Sequence, residues 1–478
     1  MDKGGVNVNQ WITTPLQKRR QFFSELFKGS NERIDALLSL VKAPAGYGVY
    51  ASIGPHYQYA LFARDALAVG EDLLAIRPAL VREIILALAQ LQGEHFNETT
   101  EEESGKMHHE YRSLSFAEEA IPETAKRVLQ TLGQKWGSTH GDLLYYGAID
   151  TTPLFVRLAC NYAQRHESSF FETTFTTRAG QTQTLRQAVE KAVAWIDTKV
   201  QQSPWNLLEF KRHNPLGLLN QAWKDSNTAY LHLDASVANA DNGIASIEVQ
   251  GYAYDALLLA ADLIAKNTAQ KRHYLKQAQM LGVATITSLW MNDEQFFAVG
   301  CDRDEAGIMR QIQTRTSNAG ALFNSNLLHV VPEAQRLSYI RPIVKRLMSE
   351  EFLTPVGIRC RSRDHADLVA FADYHGSLVS WPKDTYEIAK GFRKWGYDIE
   401  TNELLGRLRR AFEMAGEAYE FFYVDQQGRA KYHYRQEYPD EPTFHDFGAA
   451  NTPEPAQAWS ISAAIGVATV FSDTATSA

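Results

Sequence analysis

The stretch Leu219-Asn220-Gln221-Ala222-Trp223-Lys224-Asp225-Ser226-Asn227 puts an indole, a lysine, a carboxylic acid and several amides into one short polar segment. That combination suits a sugar, because an aromatic face stacks on the apolar side of a pyranose while acids and amides bind its hydroxyls. Asp225 then reads as a general acid on a glycosidic bond; the plainer reading is a loop aspartate that caps the next turn. Arg64-Asp65 is a second polar pair, able to donate to and accept from adjacent hydroxyls, or to form an ion pair at a helix start with Asp65 as its cap. Asp150 lies in a Tyr-rich loop before a helix and rivals Asp225 as the acid, although capping by Asp150 or Thr151 is the simpler role. Glu420 lies between Tyr419 and Phe421-Phe422-Tyr423, an unusual setting for a solvated carboxylate. Its structural alternative is an ion pair with an arginine at a buried helix end. Phe62, Trp223, Trp381 and Trp459 are candidate stacking surfaces as a group, each alone reading equally well as core.

Other chemistries find less support. His108-His109-Glu110 and His375 suggest metal ligands, yet no His-x-x-x-His or comparable spacing accompanies them, so hydroxyl recognition fits better. Asp302-Arg303-Asp304-Glu305-Ala306-Gly307 has the wrong spacing for a calcium loop. Cys160, Cys301 and Cys360 are odd in number and widely spaced, which argues against a disulfide framework or a zinc site. No P-loop or strand-linked Gly-x-Gly-x-x-Gly occurs. Neither metal nor cofactor is expected.

The 48 basic and 56 acidic residues give a net charge of −8, which disfavours nucleic acid and anionic membranes as partners. Hydrophobic residues at 45% and charged residues at 22% are an ordinary globular balance. Met1 to Arg20 has no apolar signal core, and no run of about 18 apolar residues occurs. A cytoplasmic protein acting on a small carbohydrate is expected, with homo-oligomerisation left open.

The elements that must position these residues are mostly helices. Apolar periodicity predicts helix over 15–42 with a break near Gly29-Ser30-Asn31, then over 66–74, 78–91, 153–164, 185–201, 247–265, 270–290, 332–350, 386–395, 403–415 and 456–470. Short candidates at Phe170–Thr177 and Phe296–Val299 read as hairpins, and Glu101-Glu102-Glu103 as a solvated loop. Helices alternating with long aromatic loops fit an all-α fold, a six-fold α/α barrel (toroid) with a few short β-hairpins, forming one domain over 1–478. A solenoid is the alternative, but no motif repeats at a fixed period.

Taken together, the motifs resemble inverting glycoside hydrolases of the six-fold α/α-barrel type. The nearest match is the catalytic domain of bacterial amylo-α-1,6-glucosidase (glycogen-debranching) enzymes and their family 63 relatives. The segments that carry the resemblance are Phe62-Ala63-Arg64-Asp65, Gly105 to Arg112, Tyr145 to Pro153, Asn220 to Ser226 and Val249-Gln250-Gly251-Tyr252. They continue through Tyr374-His375-Gly376-Ser377, Trp381-Pro382-Lys383-Asp384, Tyr419-Glu420-Phe421-Phe422 and Gln457-Ala458-Trp459-Ser460, spanning most of the chain in order. The resemblance implies Asp225 as acid and Glu420 as base. It implies substrate binding by Tyr59, Phe62, Arg64, Asp65, His109, Glu110, Arg112, Tyr146, Asp150, Trp223, Lys224, Gln250, Tyr374, His375, Trp381 and Trp459. The implied activity is removal of a terminal α-linked, glucosyl residue with inversion. A sugar epimerase or isomerase that uses a histidine such as His375, and a non-catalytic carbohydrate-binding protein, are the rival readings. The segments around Glu420 and His375 depart from the usual Leu-Pro-Glu-Leu-Phe and His-Asn-Gly-Ser-Val-Trp-Pro.

Overall fold

The computed structural model describes residues 7–116, 123–138, 142–434 and 451–476. Its helices are α1 (Val8–Thr13), α2 (Leu16–Leu26), α3 (Asn31–Leu40), α4 (Ala63–Leu73), α5 (Pro78–Gln90), α6 (Glu123–Trp136), α7 (Thr151–Arg165) and α8 (Leu185–Gln202). They continue with α9 (Ile247–Leu263), α10 (Thr268–Leu289), α11 (Asn318–Ala321), α12 (Glu333–Leu347), α13 (Pro382–Lys394), α14 (Asp398–Ala415) and α15 (Ala458–Thr476). Local chemistry sets many of the boundaries. Ser30 accepts from the Arg33 amide and so separates α2 from α3. Thr184 and Gln187 form a reciprocal capping box at the start of α8, and Asn267 caps α10. Gly416, left-handed at φ 57°, ends α14. Among the described residues no helix is long and apolar enough to cross a membrane.

The helices pack in two layers, and the inner contacts return on themselves. α4 packs on α7, α7 on α9, α9 on α11 and the turn after it, α11 on α13, α13 on α15, and α15 back on α4. The intervening helices lie against this set: α5 on α4 and α7, α8 on α7 and α9, α10 on α9, α12 on α11, and α14 on α13 and α15. Sequence explains the sorting. Residues 247–257 of α9 are buried without a break, whereas α10 alternates buried and exposed positions as a one-sided helix must.

The structure corrects several boundaries. α13 starts at Pro382 rather than Tyr386, because a proline in the first turn already has helical φ and lacks only an amide that would be unpaired there. α14 starts at Asp398, five residues before the expected Glu403. Helix α6 was not expected, since Ala125, Leu129 and Trp136 are sparse among polar neighbours. Both hairpins exist, pairing Thr174–Thr176 with Thr182–Thr184 and Trp290–Met291 with Phe296–Phe297, while Phe170 falls in a 3-10 turn. Two three-stranded antiparallel sheets are additional. One joins β1 (Ala60–Phe62), β2 (Glu110–Ser113) and β3 (Asp142–Tyr145), too short for alternation to be visible in the sequence. The other includes Gly300–Arg303 and Met309–Ile312, so the segment weighed as a calcium loop is a hairpin whose Asp302 is ion-paired with Arg310.

The acid triplet is not a solvated loop. Glu101 and Glu102 are buried. Glu101 accepts from the His213 amide at 3.1 Å, the Asn214 amide at 3.0 Å and the Gln221 side chain at 3.0 Å. Glu102 pairs with Arg178 at 3.0 Å and accepts from the Glu94 amide at 2.8 Å. These bonds supply the partners that burial of a carboxylate requires, and they fasten the long loop that leads to Trp223.

Close helix contact depends on glycine. A methyl group at Gly466 of α15 would overlap the ring and hydroxyl of buried Tyr386 on α13, whereas at Gly406 of α14 the nearest atom is an Arg410 side-chain nitrogen at 3.5 Å. Gly466→Ala is expected to destabilise by about 1–3 kcal/mol through overpacking, and Gly406→Ala to stabilise by about 0.5–1 kcal/mol through helix propensity. Urea denaturation of the two variants checks both signs.

Candidate active site

Four inner helices bring their N-terminal ends to one place. Arg64 and Asp65 open α4, with Phe62 just before it; Asp150 precedes α7; Trp381 precedes α13; Gln457 precedes α15, whose second residue is Trp459. Trp223 and Asp225 come from the loop between α8 and α9, Tyr374 and His375 from the loop before α13, and Glu420 from the turn after α14. With Ala51 and Tyr57, all of these except Asp150 line a partly open cavity with about 340 Å³ of free space, some of it continuous with solvent. A wider chamber of about 1490 Å³ adjoins it, shares Tyr57, Phe62, Asp225, Tyr374 and Glu420, and adds His109, Glu110, Arg112 and Glu454.

The supporting loops are pinned by buried bonds. The Leu218 amide donates to the Tyr145 hydroxyl at 2.9 Å, and Asn220 Nδ2 to the Ser226 carbonyl at 2.7 Å. Lys224 Nζ donates to Ser317 Oγ at 2.6 Å and to the Cys360 carbonyl at 2.7 Å, which turns its neighbours Trp223 and Asp225 toward the cavity. On the opposite wall Arg361 holds Asp373 at 2.6 Å, and Thr228 Oγ1 donates to the same carboxylate at 2.7 Å, fixing the segment that carries Tyr374 and His375.

The electrostatics separate the acids. Arg64 donates through Nε at 2.6 Å and Nη2 at 3.1 Å to Asp150, and through Nη1 at 3.3 Å to Asp225. Burial pushes the Asp225 carboxyl up to about 6; Arg64 pulls against this, and the negative charge of Asp150 adds to it. Burial also pushes Asp65 up to about 7, opposed by the 2.6 Å bond from Gln457 Nε2. Glu420 is held well above the usual carboxylate range by burial, even though Tyr374 donates to its Oε1 and the Glu454 amide to its Oε2 at 3.2 Å. His375 is held well below its usual range by burial and is therefore neutral; its Nδ1 lies 3.0 Å from Ser226 Oγ and its ring stacks on Trp381.

Several expected binding residues lie elsewhere. Asp150 sits behind Arg64, 1% exposed, and does not cap α7. Asp65 does not cap α4 either, since Phe62 occupies that position without a side-chain bond. Tyr59, at φ 62°, packs edge-on against Tyr50 and lines neither chamber. Tyr146 donates to the Leu91 carbonyl at 2.9 Å, within a separate apolar cluster. The Gln250 side chain is bonded to both backbone polar groups of Leu208. Lys224 supports the loop from behind through Ser317 and Cys360, and Arg64 is the cation that bonds Asp225. The sequence reading missed Tyr57, Gln457 and Glu454. Tyr57 belongs to a Tyr-rich run and Gln457 to a segment already singled out, so composition pointed near both. Glu454 carried no signal. Among the described residues no group of three or more His, Cys, Asp or Glu is arranged to hold a metal.

A raised carboxyl pKa predicts a sign. The folded protein favours protonated Asp65 up to about pH 7, while the unfolded chain releases that proton near 3.8, so this group's contribution to stability is full below pH 3.8 and lost as pH rises through 7. Asp65→Asn keeps the bond from Gln457 without the charge. Its stability is expected to match the wild type near pH 4 and exceed it increasingly up to pH 7–8, by about a few kcal/mol at most, with the melting temperature rising in parallel. Melting curves across that range check it.

No family model matches the sequence, and no curated protein matches it by sequence. Solved structures do match. A GH63 mannosylglycerate hydrolase from Thermus thermophilus, in complex with glucose, aligns with a TM-score of 0.56 at 12% identity, covering 95% of this chain and 99% of that one. The same hydrolase in complex with Tris gives 0.51 at 13% identity over 95% and 99% of the two chains. A single-substitution variant described as a glycosidase gives 0.53 at 10% identity over 95% and 98%. The chain therefore has the fold of a family 63-like glycoside hydrolase.

Proposed function

We propose that this protein is an inverting, exo-acting α-glycosidase on a six-fold α/α barrel, removing a terminal glucosyl residue from a small glycoside or oligosaccharide. The observation that carries the reading is the meeting of Asp225 and Glu420, far apart in sequence, on the wall of one small cavity among aromatic rings. Glycoside hydrolysis needs two carboxyl groups flanking the scissile bond. Asp225, with its pKa raised to about 6, gives its proton to the glycosidic oxygen as the C1–O bond breaks. Glu420 takes a proton from the water that attacks C1 from the other side, so the acceptor leaves neutral and the sugar departs as a hemiacetal. The next turnover needs a proton back on Asp225 and one lost from Glu420.

The other groups fit sugar binding. Arg64 and Asp65 together donate to and accept from neighbouring hydroxyls. The indole Nε1 atoms of Trp223 and Trp459 are buried without a hydrogen-bond partner among the described residues, and sugar oxygens are suitable acceptors. A narrow cavity opening on a wider chamber suits one terminal sugar inside and its acceptor outside. The structural neighbours, a mannosylglycerate hydrolase and a glycosidase by name, support the same reaction class. Neutral His375, stacked on Trp381, is poorly suited to the proton transfer that an isomerase asks of it.

Reducing-sugar release from a panel of α-linked glucosyl disaccharides tests this reading. Asp225→Asn and Glu420→Gln are each expected to lower kcat by about 10²–10⁴-fold with the fold retained; unchanged turnover in either removes it from the chemistry. In the wild type kcat/KM is expected to fall as pH rises through about 6, where Asp225 loses its proton. Arg64→Ala is expected to lower kcat/KM at least a hundredfold, about 3 kcal/mol. It also leaves Asp150 buried without its cation, so kinetics are compared below the variant's lowered melting temperature. Wild-type kinetics in that variant make Arg64 a structural residue.

A further inference from the structure

Glu420 is a buried carboxylate whose strongest influences, after burial itself, are Tyr374, the Glu454 backbone and the negative charges of Glu454 and Asp65. None of these is a cation. By contrast Asp225, on the same cavity wall, touches Arg64 at 3.3 Å. A general base must be able to ionise at working pH, and for a buried carboxylate with no ion pair among the described residues hydrogen-bond donors are what favour the ionised form. Two hydroxyls supply them. Tyr374 donates to Glu420 Oε1, and the Tyr57 hydroxyl lies 3.0 Å from that of Tyr374. A phenol has one proton, so once Tyr374 directs its own at the carboxylate its oxygen can only accept, and Tyr57 must be the donor.

We propose that Tyr57 and Tyr374 form a directed hydroxyl relay at the base, as positioning residues that orient Glu420 Oε1 and favour its ionised form against the burial that opposes it. The proposal rests on the glycosidase reading. Each tyrosine comes from a different loop, 52–59 and 373–377, and both line the inner and outer chambers, so the relay closes only when those loops are seated. The second tyrosine strengthens the first bond, because a hydroxyl that accepts a hydrogen bond becomes a better donor. Burial and the neighbouring Glu420 charge hold both phenols well above their usual range, so they remain donors throughout the working pH. Glu454 opposes the relay. Among the described residues its carboxylate is bonded to Ser52 Oγ at 2.7 Å and the His56 amide at 3.4 Å, both neutral groups, and its charge bears on Glu420. The remaining charged and titratable groups that line the two chambers with Glu420 are Arg64, Asp65, Asp225 and neutral His375 in the inner one, and His56, His109, Glu110 and Arg112 in the outer one.

The acid limb of the kcat/KM–pH profile reads this out, because activity on that side follows ionisation of the base. With 4-nitrophenyl α-glucoside, whose leaving group needs little help from Asp225, Tyr374→Phe is expected to move the limb up by about one pH unit. Tyr57→Phe should move it up less, and Glu454→Gln should move it down. Glu454→Gln removes the charge and one of two acceptor oxygens at a residue that bonds neither tyrosine, and neither tyrosine bonds Asp65, so a general loosening or a limb set by Asp65 does not produce opposite shifts. Limbs that coincide in wild type and all three variants overturn the proposal while leaving the glycosidase standing. A wild type that hydrolyses neither this probe nor any α-linked disaccharide removes the glycosidase reading and the inference with it.

Discussion

One guanidinium organises the site. Arg64, 3% exposed, is shared between Asp150 at the start of α7 and Asp225 on the long loop, so a single cation ties two helices and a loop around the cavity. Removing charged groups from water is expensive, and the arrangement offsets this unequally. Asp150 takes two of Arg64's bonds and lies behind it; Asp225 takes one long bond and keeps a quarter of its side chain exposed. The acid left under-compensated is Asp225, the one proposed to protonate the leaving group. Asp65 and Glu420 receive hydrogen bonds but no direct ion pair, and both are raised by burial. The site is thus a set of acids at graded distances from one cation.

A second polar layer lies beneath and keeps the first in place. Lys383 pairs with Glu387 at 2.8 Å, and Tyr252 donates to the same carboxylate at 2.8 Å, joining α13 to α9. Lys383 also lies 4.9 Å from the centre of the Trp223 ring, beneath the cavity floor. Lys224, Ser317 and Asp384 form a further chain that links the long loop to α11 and α13. Such buried networks are satisfied only in one arrangement, so they specify which helix ends meet, at a desolvation cost that apolar residues would not incur.

Much of the helical frame was legible in the sequence, because α8 and α12 carry an apolar period and α9 and α10 are long runs with no proline to break them. What was illegible is short or non-local. Strands of two to four residues, such as Ala60–Phe62, have no room for alternation. α6 packs through few residues, and Pro382 looked like a loop residue although it starts α13. For the site, residue types located the right segments: Phe62, Arg64, Asp65, Trp223, Asp225, Tyr374, His375, Trp381, Glu420 and Trp459 all meet at one cavity. Types could not tell which member of a segment faces inward. Lys224 and Asp225 are adjacent, yet one points to Cys360 and the other to the cavity. Tyr57 and Tyr59 differ by two positions, and the left-handed backbone at Tyr59 sends only the first to the site. Glu454 was invisible because its importance lies in its contact with Glu420, a neighbour 34 residues away in sequence.

The central claim is that Asp225 and Glu420 act from opposite sides of one bound sugar, with water attacking beside Glu420. The stereochemistry of the first product tests it most directly. Proton NMR of the anomeric region, recorded in the first minutes of hydrolysis of an α-linked glucosyl disaccharide and before mutarotation, is predicted to show the β-anomer of the released glucose rising first. The α-anomer appearing first would require an attack by the protein itself and a second displacement by water. That result would contradict the assignment of Glu420 as a base acting through water, whatever the two carboxylates contribute to the rate.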